Sequence, residues 1–374
     1  MVRVLATFYF LVFAYIGVLI PWFPPLLAER GLGAAMIGVS LFAIQIPRAL
    51  LPPAWGLLAD RLAQPRGLLA AATVAAGAAF ALVGATHRTP LVLALLFAHG
   101  LLVVPVFPLA EVFAFRVLGA DRERYGRVRA WGSLGFIVTS LGTAPLVDRL
   151  GLSVVPWLAG GLLVAAGLLA LAFPGGRFAA RARRLGAAEA VRLVRRLAPL
   201  LAVAALGQAS HGAYYAFFTI QLVARGWSNT AVGLLWAWAV VCEIGLMSVS
   251  PLILRRVALS RALALALAAG GVRWLVTALD PAPVALVAAQ ALHAGSFALL
   301  HVATVQLVDR LSPPPAKAFG QSLASAAAYG VGVGGGIVAA GWAAPWLGDA
   351  GLYLASAGLS ALALLAWLAA GRSR

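Results

Sequence analysis

The sequence predicts an all-α membrane protein, with twelve transmembrane helices arranged in two pseudo-symmetric six-helix bundles. Three observations lead to this fold class: the composition, the recurrence of long apolar runs, and an internal repeat. Of the 374 residues, 63% are hydrophobic and 10% are charged, and the mean hydropathy is +0.97. Soluble domains are about 25% charged, so this chain has too few charges to cover its surface in water.

Apolar runs of about 20 residues, the length that crosses a bilayer, recur along the whole chain. The first run is not followed by a small-residue cleavage site, so we expect a retained span rather than a signal peptide. We predict twelve spans, at residues 4–28, 36–58, 67–86, 90–116, 127–147, 152–173, 197–224, 230–254, 260–279, 283–308, 317–343 and 349–370.

The basic residues lie mostly on one side of this topology, although the net charge of +17 would by itself favour nucleic acid as a partner. The opposite loops hold only Arg30, Arg88, Arg149 and Arg225. Such asymmetry is the positive-inside pattern, and it predicts cytoplasmic termini and a place in the bacterial cytoplasmic (inner) membrane. The expected partners are therefore the lipid bilayer and a small solute, not nucleic acid. The cytoplasmic set includes Arg3, Arg61, Arg66, Arg116, Arg122, Arg124, Arg127, Arg192, Arg195, Arg196, Arg255, Arg256, Arg261, Arg310 and Lys317.

A polar, basic stretch at residues 174–196, "PGGRFAARARRLGAAEAVRLVRR", divides the chain. It reads as a cytoplasmic linker between two six-span blocks. We therefore predict an N-terminal six-helix bundle over 1–173 and a C-terminal six-helix bundle over 197–374.

The two blocks resemble each other. Residues 29–48, "ERGLGAAMIGVSLFAIQIPR", align without gaps with residues 224–243, "ARGWSNTAVGLLWAWAVVCE", at an offset of 195. Two repeats related by an axis along the membrane normal are typical of transporters that rock around a site near the midplane. The alignment matches Arg30 with Arg225, Gly31 with Gly226, Gly38 with Gly233, and Arg48 with Glu243.

The loop after the second span reads "GLLADRLAQPR" over residues 56–66. It resembles the signature loop of the major facilitator superfamily, which implies that its members form a conformational latch: Gly56, Asp60, Arg61 and Arg66. A carboxylate at position 60 suits the positive end of a helix dipole. An ordinary charged turn is the alternative, since Ala63 stands where the superfamily usually has glycine and the second-half copy lacks the aspartate.

Nine ionisable residues fall inside the predicted spans, where each costs about 2.5–3.5 kcal/mol on insertion scales and is a functional candidate by default. Only two of them are acids, one in each half, so each acid has few possible basic partners within its own half. The nine are Arg48, His99, Glu111, Arg129, His211, Glu243, Arg273, His293 and His301.

Glu111 ends the fourth span and Arg129 begins the fifth, and a short loop joins the two. The helix ends must be neighbours, so we expect the carboxylate and the guanidinium to meet. The pair is either a structural contact or a switchable pair at the substrate site.

In the second half, Glu243 lies midway along the eighth span, Arg273 in the ninth, and His293 and His301 in the tenth. A lone carboxylate in an apolar site suits proton uptake and release, and intermittent pairing with Arg273 would couple that step to conformation. A static buried ion pair is the alternative. In the alignment of the two halves, Arg48 occupies the position equivalent to Glu243.

The seventh span contains "QASHGAYYAFF" over residues 208–218. Gln208, His211, Tyr215 and Phe218 fall on one face of a helix. Polar tips on aromatic bodies suit the wall of a site for an amphipathic organic solute. An aromatic belt at the membrane interface is the alternative.

At these residues the chain resembles known families. Residues 111–136 are similar to the stretch in the lactose permease group that carries a glutamate–arginine pair needed for substrate binding. "QASHGAYY", "GGVRW" and "LHAGSFALLH" resemble the 3-phenylpropionate transporter family of the major facilitator superfamily. Ser296 stands where the lactose permease group has a second acid, so that group's coupling mechanism does not transfer directly.

We therefore expect a secondary active transporter of the major facilitator fold, a proton symporter for a small organic solute, and the resemblance favours an aromatic carboxylate such as phenylpropionate. Alternatives are a sugar or nucleoside symporter, an efflux antiporter, or a non-transporting receptor or assembly factor. We expect no enzyme activity, metal or cofactor, with the proton as coupling ion. We expect a monomer.

Overall fold

The computed structural model describes residues 1–51, 65–119, 124–175, 186–279 and 282–372. Within these ranges the chain is helical and contains no β-strand, which confirms the all-α fold class. The α-helices are α1 Val2–Glu29, α2 Ala34–Leu50, α3 Pro65–Leu82, α4 Thr89–Val103, α5 Val106–Leu118, α6 Tyr125–Leu150, α7 Val154–Ala170, α8 Ala187–Ala209, α9 Gly212–Ala224, α10 Asn229–Arg256, α11 Leu259–Ala278, α12 Pro283–Ala291, α13 Leu300–Leu311, α14 Lys317–Ser325 and α15 Gly334–Arg372.

Eight stretches of continuous helix in the described part are long and apolar enough to cross a membrane, and the helices Ala34–Leu50 and Val154–Ala170 are shorter but apolar. The stretch Lys317–Ala370 covers two predicted spans. Its backbone turns at Gly348, where φ is 59°. This residue lies between the predicted end of the eleventh span and the predicted start of the twelfth.

Two predicted spans are divided. The fourth consists of α4 and α5, which are separated at Val104 and Pro105. The seventh consists of α8 and α9, which are separated at Ser210 and His211. Each of these two spans therefore contains a short break in its helix.

Parts of two predicted segments lie outside the described residues. They include Gly56, Asp60 and Arg61 of the signature loop, and residues 176–185 of the linker. The described latch residue, Arg66, donates a hydrogen bond to the carbonyl oxygen of Phe173 over 3.3 Å. Residues 187–196 of the linker are helical and continue directly into the seventh span.

The chain divides into two compact units. Unit 1 comprises Met1–Gly33, Ile46–Arg181 and Thr219–Ala237, and unit 2 comprises Ala34–Gln45, Ala182–Phe218 and Trp238–Arg374. Each unit thus takes in a short helical piece from the other half of the sequence. The bundle boundaries at 173 and 197 stay predictions.

The repeat seen in the sequence is repeated in backbone geometry. Gly31 and Gly226, 195 residues apart, have φ values of 80° and 82°. After α1 the amide of Leu32 donates to Leu27, and after α9 the amide of Trp227 donates to Leu222, over 3.1 and 3.0 Å. These are matching glycine caps of the Schellman type, in which the left-handed conformation favours glycine.

A second glycine pair of the repeat, Gly38 and Gly233, allows a close approach of helix backbones in each unit. In unit 2, a Cβ on Gly38 would lie 3.0 Å from the carbonyl oxygen of Ile337. In unit 1, a Cβ on Gly233 would lie 2.7 Å from the carbonyl oxygen of Ser140. Small residues allow such close approach of helix backbones in membranes, and this explains why each unit holds a piece of the other half.

Candidate functional site

In unit 1, Arg129 lies on the faces of aromatic rings. It stands in the second turn of α6, and its Cζ atom is 3.9 Å from the centroid of the Phe13 ring and 5.9 Å from that of Tyr9. Gly132, one turn further on, leaves the room for this stacking, because a Cβ there would come within 2.8 Å of Phe13 and 2.9 Å of Arg129 Nη1. Cation–π contact of this kind stabilises a guanidinium away from water.

The expected contact between Glu111 and Arg129 is not made in this structure. Instead, the Tyr125 hydroxyl donates to Glu111 Oε1 over 3.5 Å, a long and weak hydrogen bond. Among the described residues, neither Glu111 nor Arg129 makes an ion pair. Whether the two residues act together in binding stays a prediction.

A line of aromatic rings connects Arg129 with a second arginine of unit 1. Phe13 contacts Phe107 edge to face, with 5.5 Å between the centroids. The Cζ atom of Arg48 in turn lies 5.9 Å from the Phe107 ring. Because Arg48 belongs to unit 1 and Glu243 to unit 2, their expected juxtaposition stays a prediction.

In unit 2, Arg273 is fully buried on α11, with an exposed fraction of 0%. Its two terminal nitrogens donate to neutral groups: Nη1 to His293 Nδ1 over 2.9 Å and Nη2 to Gln290 Oε1 over 3.0 Å. The rings of Tyr214 and Trp274 each lie 4.3 Å from its Cζ atom. Within the described ranges, Arg273 contacts no carboxylate, so its charge is compensated only by dipoles and π-electrons.

His293 bridges Arg273 and Glu243. Because Arg273 can only donate, Nδ1 of His293 must accept, and the imidazole proton is assigned to Nε2. That nitrogen lies 3.7 Å from Glu243 Oε2. The expected direct pairing of Glu243 with Arg273 is absent among the described residues, since the imidazole occupies the position between them.

The break between α8 and α9 places His211 in the same cluster. Its ring lies 6.0 Å from that of His293 and 5.0 Å from that of Trp274. Nδ1 donates to the Gly207 carbonyl oxygen over 3.1 Å, which leaves Nε2 as an acceptor. Gln208 and His211 are buried and Tyr215 is partly buried, so the predicted face lies inside the unit despite the break in the helix.

Four polar atoms of this cluster are buried without a hydrogen-bond partner in the described part of the chain: Gln208 Oε1, His211 Nε2, Arg273 Nε and Gln290 Nε2. Leaving a buried polar atom unpaired costs about 1–3 kcal/mol. Two acceptors and two donors of the cluster therefore have no hydrogen-bond partner among the described residues. A solute that bonded to them would recover this free energy on binding.

His301 is connected to this cluster through Tyr329, whose ring lies 6.4 Å from that of Phe297. Its Nδ1 is 3.0 Å from the hydroxyl oxygen of Tyr329. His301 follows the short π-helical segment Ala294–Leu299, and Tyr329 lies inside a second one, Ala326–Val333. Inside spans such segments are often found at functional sites, and here the first one places Phe297 parallel to His293, with centroids 5.1 Å apart.

Sequence reasoning missed several residues that the structure places in the site: Tyr125, Trp274, Gln290 and Tyr329. Gln290 had a usable signal, because it stands one helical turn before His293 in an otherwise apolar run. The described residues contain no cluster of ligands that could hold a metal ion.

Comparison with known proteins identifies relatives over most of the chain. A profile of the MFS_1 like family matches residues 2–355. The probable 3-phenylpropionic acid transporter of Escherichia coli (strain K12) is 30% identical over 82% of this chain and 82% of its own length. The maltose permease of Geobacillus stearothermophilus is 29% identical over 87% of this chain and 83% of its own length.

Solved transporter structures share the fold. The crystal structure of the nucleoside transporter NupG superposes with a TM-score of 0.85 and 17% identity, covering 98% of this chain and 98% of its own. A bacterial homolog of the human lysosomal transporter Spinster superposes with a TM-score of 0.75 and 14% identity, covering 99% of this chain and 96% of its own.

Proposed function

Given that this chain belongs to the MFS_1 like family and is a transporter of the major facilitator type, we propose that it is a proton-coupled symporter for a small organic anion. The favoured solute is an aromatic carboxylate of the 3-phenylpropionate kind, which is the solute named for the Escherichia coli relative. Transport proceeds by alternating access.

The observation that carries the proposal is a pair of arginines that have no directly bonded carboxylate among the described residues. Arg129 and Arg273 both lie in membrane-spanning helices, and neither makes an ion pair with a carboxylate in the described ranges. A guanidinium in an apolar medium is costly without a counter-charge. An anionic solute supplies the missing charge, and a carboxylate fits the planar guanidinium in a bidentate manner.

Arg129 is the better anchor for the carboxylate. Both terminal nitrogens of Arg273 are occupied by Gln290 and His293, whereas the described contacts of Arg129 are aromatic faces. The ring of Phe13 lies beside it, and the ring of Phe107 packs against Phe13. A phenyl group attached to the carboxylate by a short chain would pack on these rings in an offset or edge-to-face manner.

We assign the binding and release of the coupled proton to Glu243 and His293. Nε2 of His293 faces Glu243 Oε2 at 3.7 Å, so a small movement brings a donor and an acceptor into hydrogen-bond range. Glu243 is 18% exposed in its side chain, so the carboxylate is not fully enclosed by the described residues. Protonation of Glu243 would remove the negative charge that faces His293 in the described part of the chain.

A neutral sugar or nucleoside is the second candidate. The unpaired amide atoms of Gln208 and Gln290 suit hydroxyl groups, and the maltose permease relative is nearly as similar in sequence as the first. Sites built to bond hydroxyl groups strongly reject analogues that lack them. The two candidates therefore differ in whether charge or hydroxyl groups determine affinity.

Binding to the purified protein separates these candidates. We would compare 3-phenylpropionate, its uncharged amide 3-phenylpropanamide, maltose and uridine by isothermal titration calorimetry. The proposal predicts binding of the carboxylate and at least tenfold weaker binding of the amide. Arg129→Gln should abolish this preference, while Arg149→Gln, an exposed arginine at the far end of the same helix, should keep it. Equal binding of acid and amide would contradict the proposal, and binding of maltose or uridine alone would favour the second candidate.

A further inference from the structure

A cavity of about 430 Å³ lies at the beginning of α1 and α6 in unit 1, and none of its lining residues belongs to the candidate substrate site. Its size falls within the range of about 300–1,000 Å³ that is usual for sites of small ligands. The lining combines three arginines with small apolar residues and one indole: Val2, Arg3, Ala6, Thr7, Arg124, Arg127, Val128 and Trp131.

The cavity is strongly cationic. Arg3 and Arg127 make no ion pair or hydrogen bond with any residue that the structure describes, and Arg124 lines the same space. Helices α1 and α6 both begin here, and neither has an acidic residue in its first turn. Helix N-termini favour anions, so the helix dipoles and the guanidinium groups act in the same direction.

An apolar stripe starts at this cavity and runs along α6. Trp131 is 49% exposed, and Leu134 and Val138, one and two turns further along the helix, are 43% and 47% exposed. Tryptophan at the end of a span is typical of the interface between headgroups and acyl chains. The cationic cavity therefore adjoins a surface that suits a hydrocarbon chain.

We propose that this cavity binds the phosphate of an anionic phospholipid, with an acyl chain lying along the stripe of Trp131, Leu134 and Val138. Arginine binds phosphate oxygens in a bidentate manner. Basic pockets between spans on the cytoplasmic side are suited to anionic headgroups, and the positive-inside pattern predicts that side for Arg3, Arg124 and Arg127. A soluble phosphate would use the guanidinium groups but not the stripe.

Native mass spectrometry of the delipidated full-length protein tests this proposal. The protein is titrated with phosphatidylglycerol or, separately, with zwitterionic phosphatidylcholine. The unmodified protein should prefer phosphatidylglycerol. The triple variant Arg3→Gln, Arg124→Gln, Arg127→Gln should lose at least about tenfold of that preference. The control triple variant Arg192→Gln, Arg195→Gln, Arg196→Gln removes the same charge from exposed positions of α8 and should retain it.

A second variant tests the contribution of the cavity's space separately from that of its charge. Thr7→Trp fills the space while leaving all three arginines in place, and it should also lower the retention of phosphatidylglycerol at an unchanged melting temperature. Equal losses in both triple variants would mean diffuse charge attraction and would overturn the site. Displacement of the lipid by millimolar inorganic phosphate would overturn the lipid assignment in favour of a soluble anion. Unchanged retention in Thr7→Trp would place the lipid elsewhere.

Discussion

The guanidinium of Arg273 donates a hydrogen bond to Nδ1 of His293, with 2.9 Å between the nitrogen atoms. While this bond exists, Nδ1 cannot carry a proton, and the imidazole can only donate through Nε2 toward Glu243. Full protonation of His293 therefore requires that Arg273 move away. In the proposed transporter this relationship links the protonation of the Glu243–His293 pair to the position of a buried charge.

The first prediction concerns coupling. Glu243→Gln should abolish accumulation of solute against a gradient and leave exchange of labelled for unlabelled solute within about threefold, because the amide keeps the shape but cannot release a proton. Proteoliposome uptake and counterflow measure the two activities. Glu29→Gln, at an exposed acid that ends α1, should leave both unchanged. Active accumulation by the Glu243→Gln protein would exclude Glu243 as the proton carrier.

The second prediction concerns binding in unit 1. Glu111→Ala should weaken solute binding at least tenfold if Glu111 and Arg129 act as a pair in the loaded state. Tyr125→Phe should change affinity by less than about threefold, because the 3.5 Å hydrogen bond that it removes is weak. Calorimetric titration gives both affinities, and an unchanged affinity in Glu111→Ala would limit this residue to a structural role.

The third prediction concerns the break between α8 and α9. A Cβ on Gly212 would overlap the backbone of Gly336, so Gly212→Ala should destabilise the protein by about 1–3 kcal/mol or more, the usual cost of overpacking. A Cβ on Gly245 would meet nothing within 4 Å, so Gly245→Ala should be neutral or slightly stabilising. Melting temperatures of both variants in one detergent test this, and equal values would disprove the close approach.

The fourth prediction concerns the repeated caps. Gly31→Ala and Gly226→Ala should each cost about 1–2 kcal/mol, because both positions require positive φ. Gly142→Ala provides the control, since Gly142 lies inside α6 and a Cβ there would meet nothing within 4 Å. Denaturant titrations would show similar losses for the first two variants and almost none for the third. A loss confined to one of the first two would show that the caps are not energetically equivalent.

The sequence predicted the helical fold because a bilayer demands long apolar runs with every backbone group hydrogen-bonded within its own helix. The internal repeat could also be recognised in the sequence, because the same backbone turn requires glycine at both Gly31 and Gly226. The division of the seventh span at Ser210 and His211 was not readable, because no proline or charge marks it.

The contacts of the candidate site were harder to predict than its members. Spacing along the chain correctly indicated that the ends of α5 and α6 are neighbours, yet Tyr125 reaches Glu111 while Arg129 stacks on Phe13. Similarly, His293 occupies the space between Arg273 and Glu243. Such choices depend on side-chain directions and on the packing of several helices, which no single segment of sequence specifies.

Proton flux into liposomes that hold the purified protein and a trapped pH dye tests the proposed symport most directly. Addition of 3-phenylpropionate outside should acidify the interior beyond the passive entry of weak acid measured in protein-free liposomes, and Glu243→Gln protein should reduce the signal to that background. Acidification by maltose or uridine, with none above background for the carboxylate, would contradict the assignment of an aromatic carboxylate. Uptake of the carboxylate without proton entry would contradict the coupling.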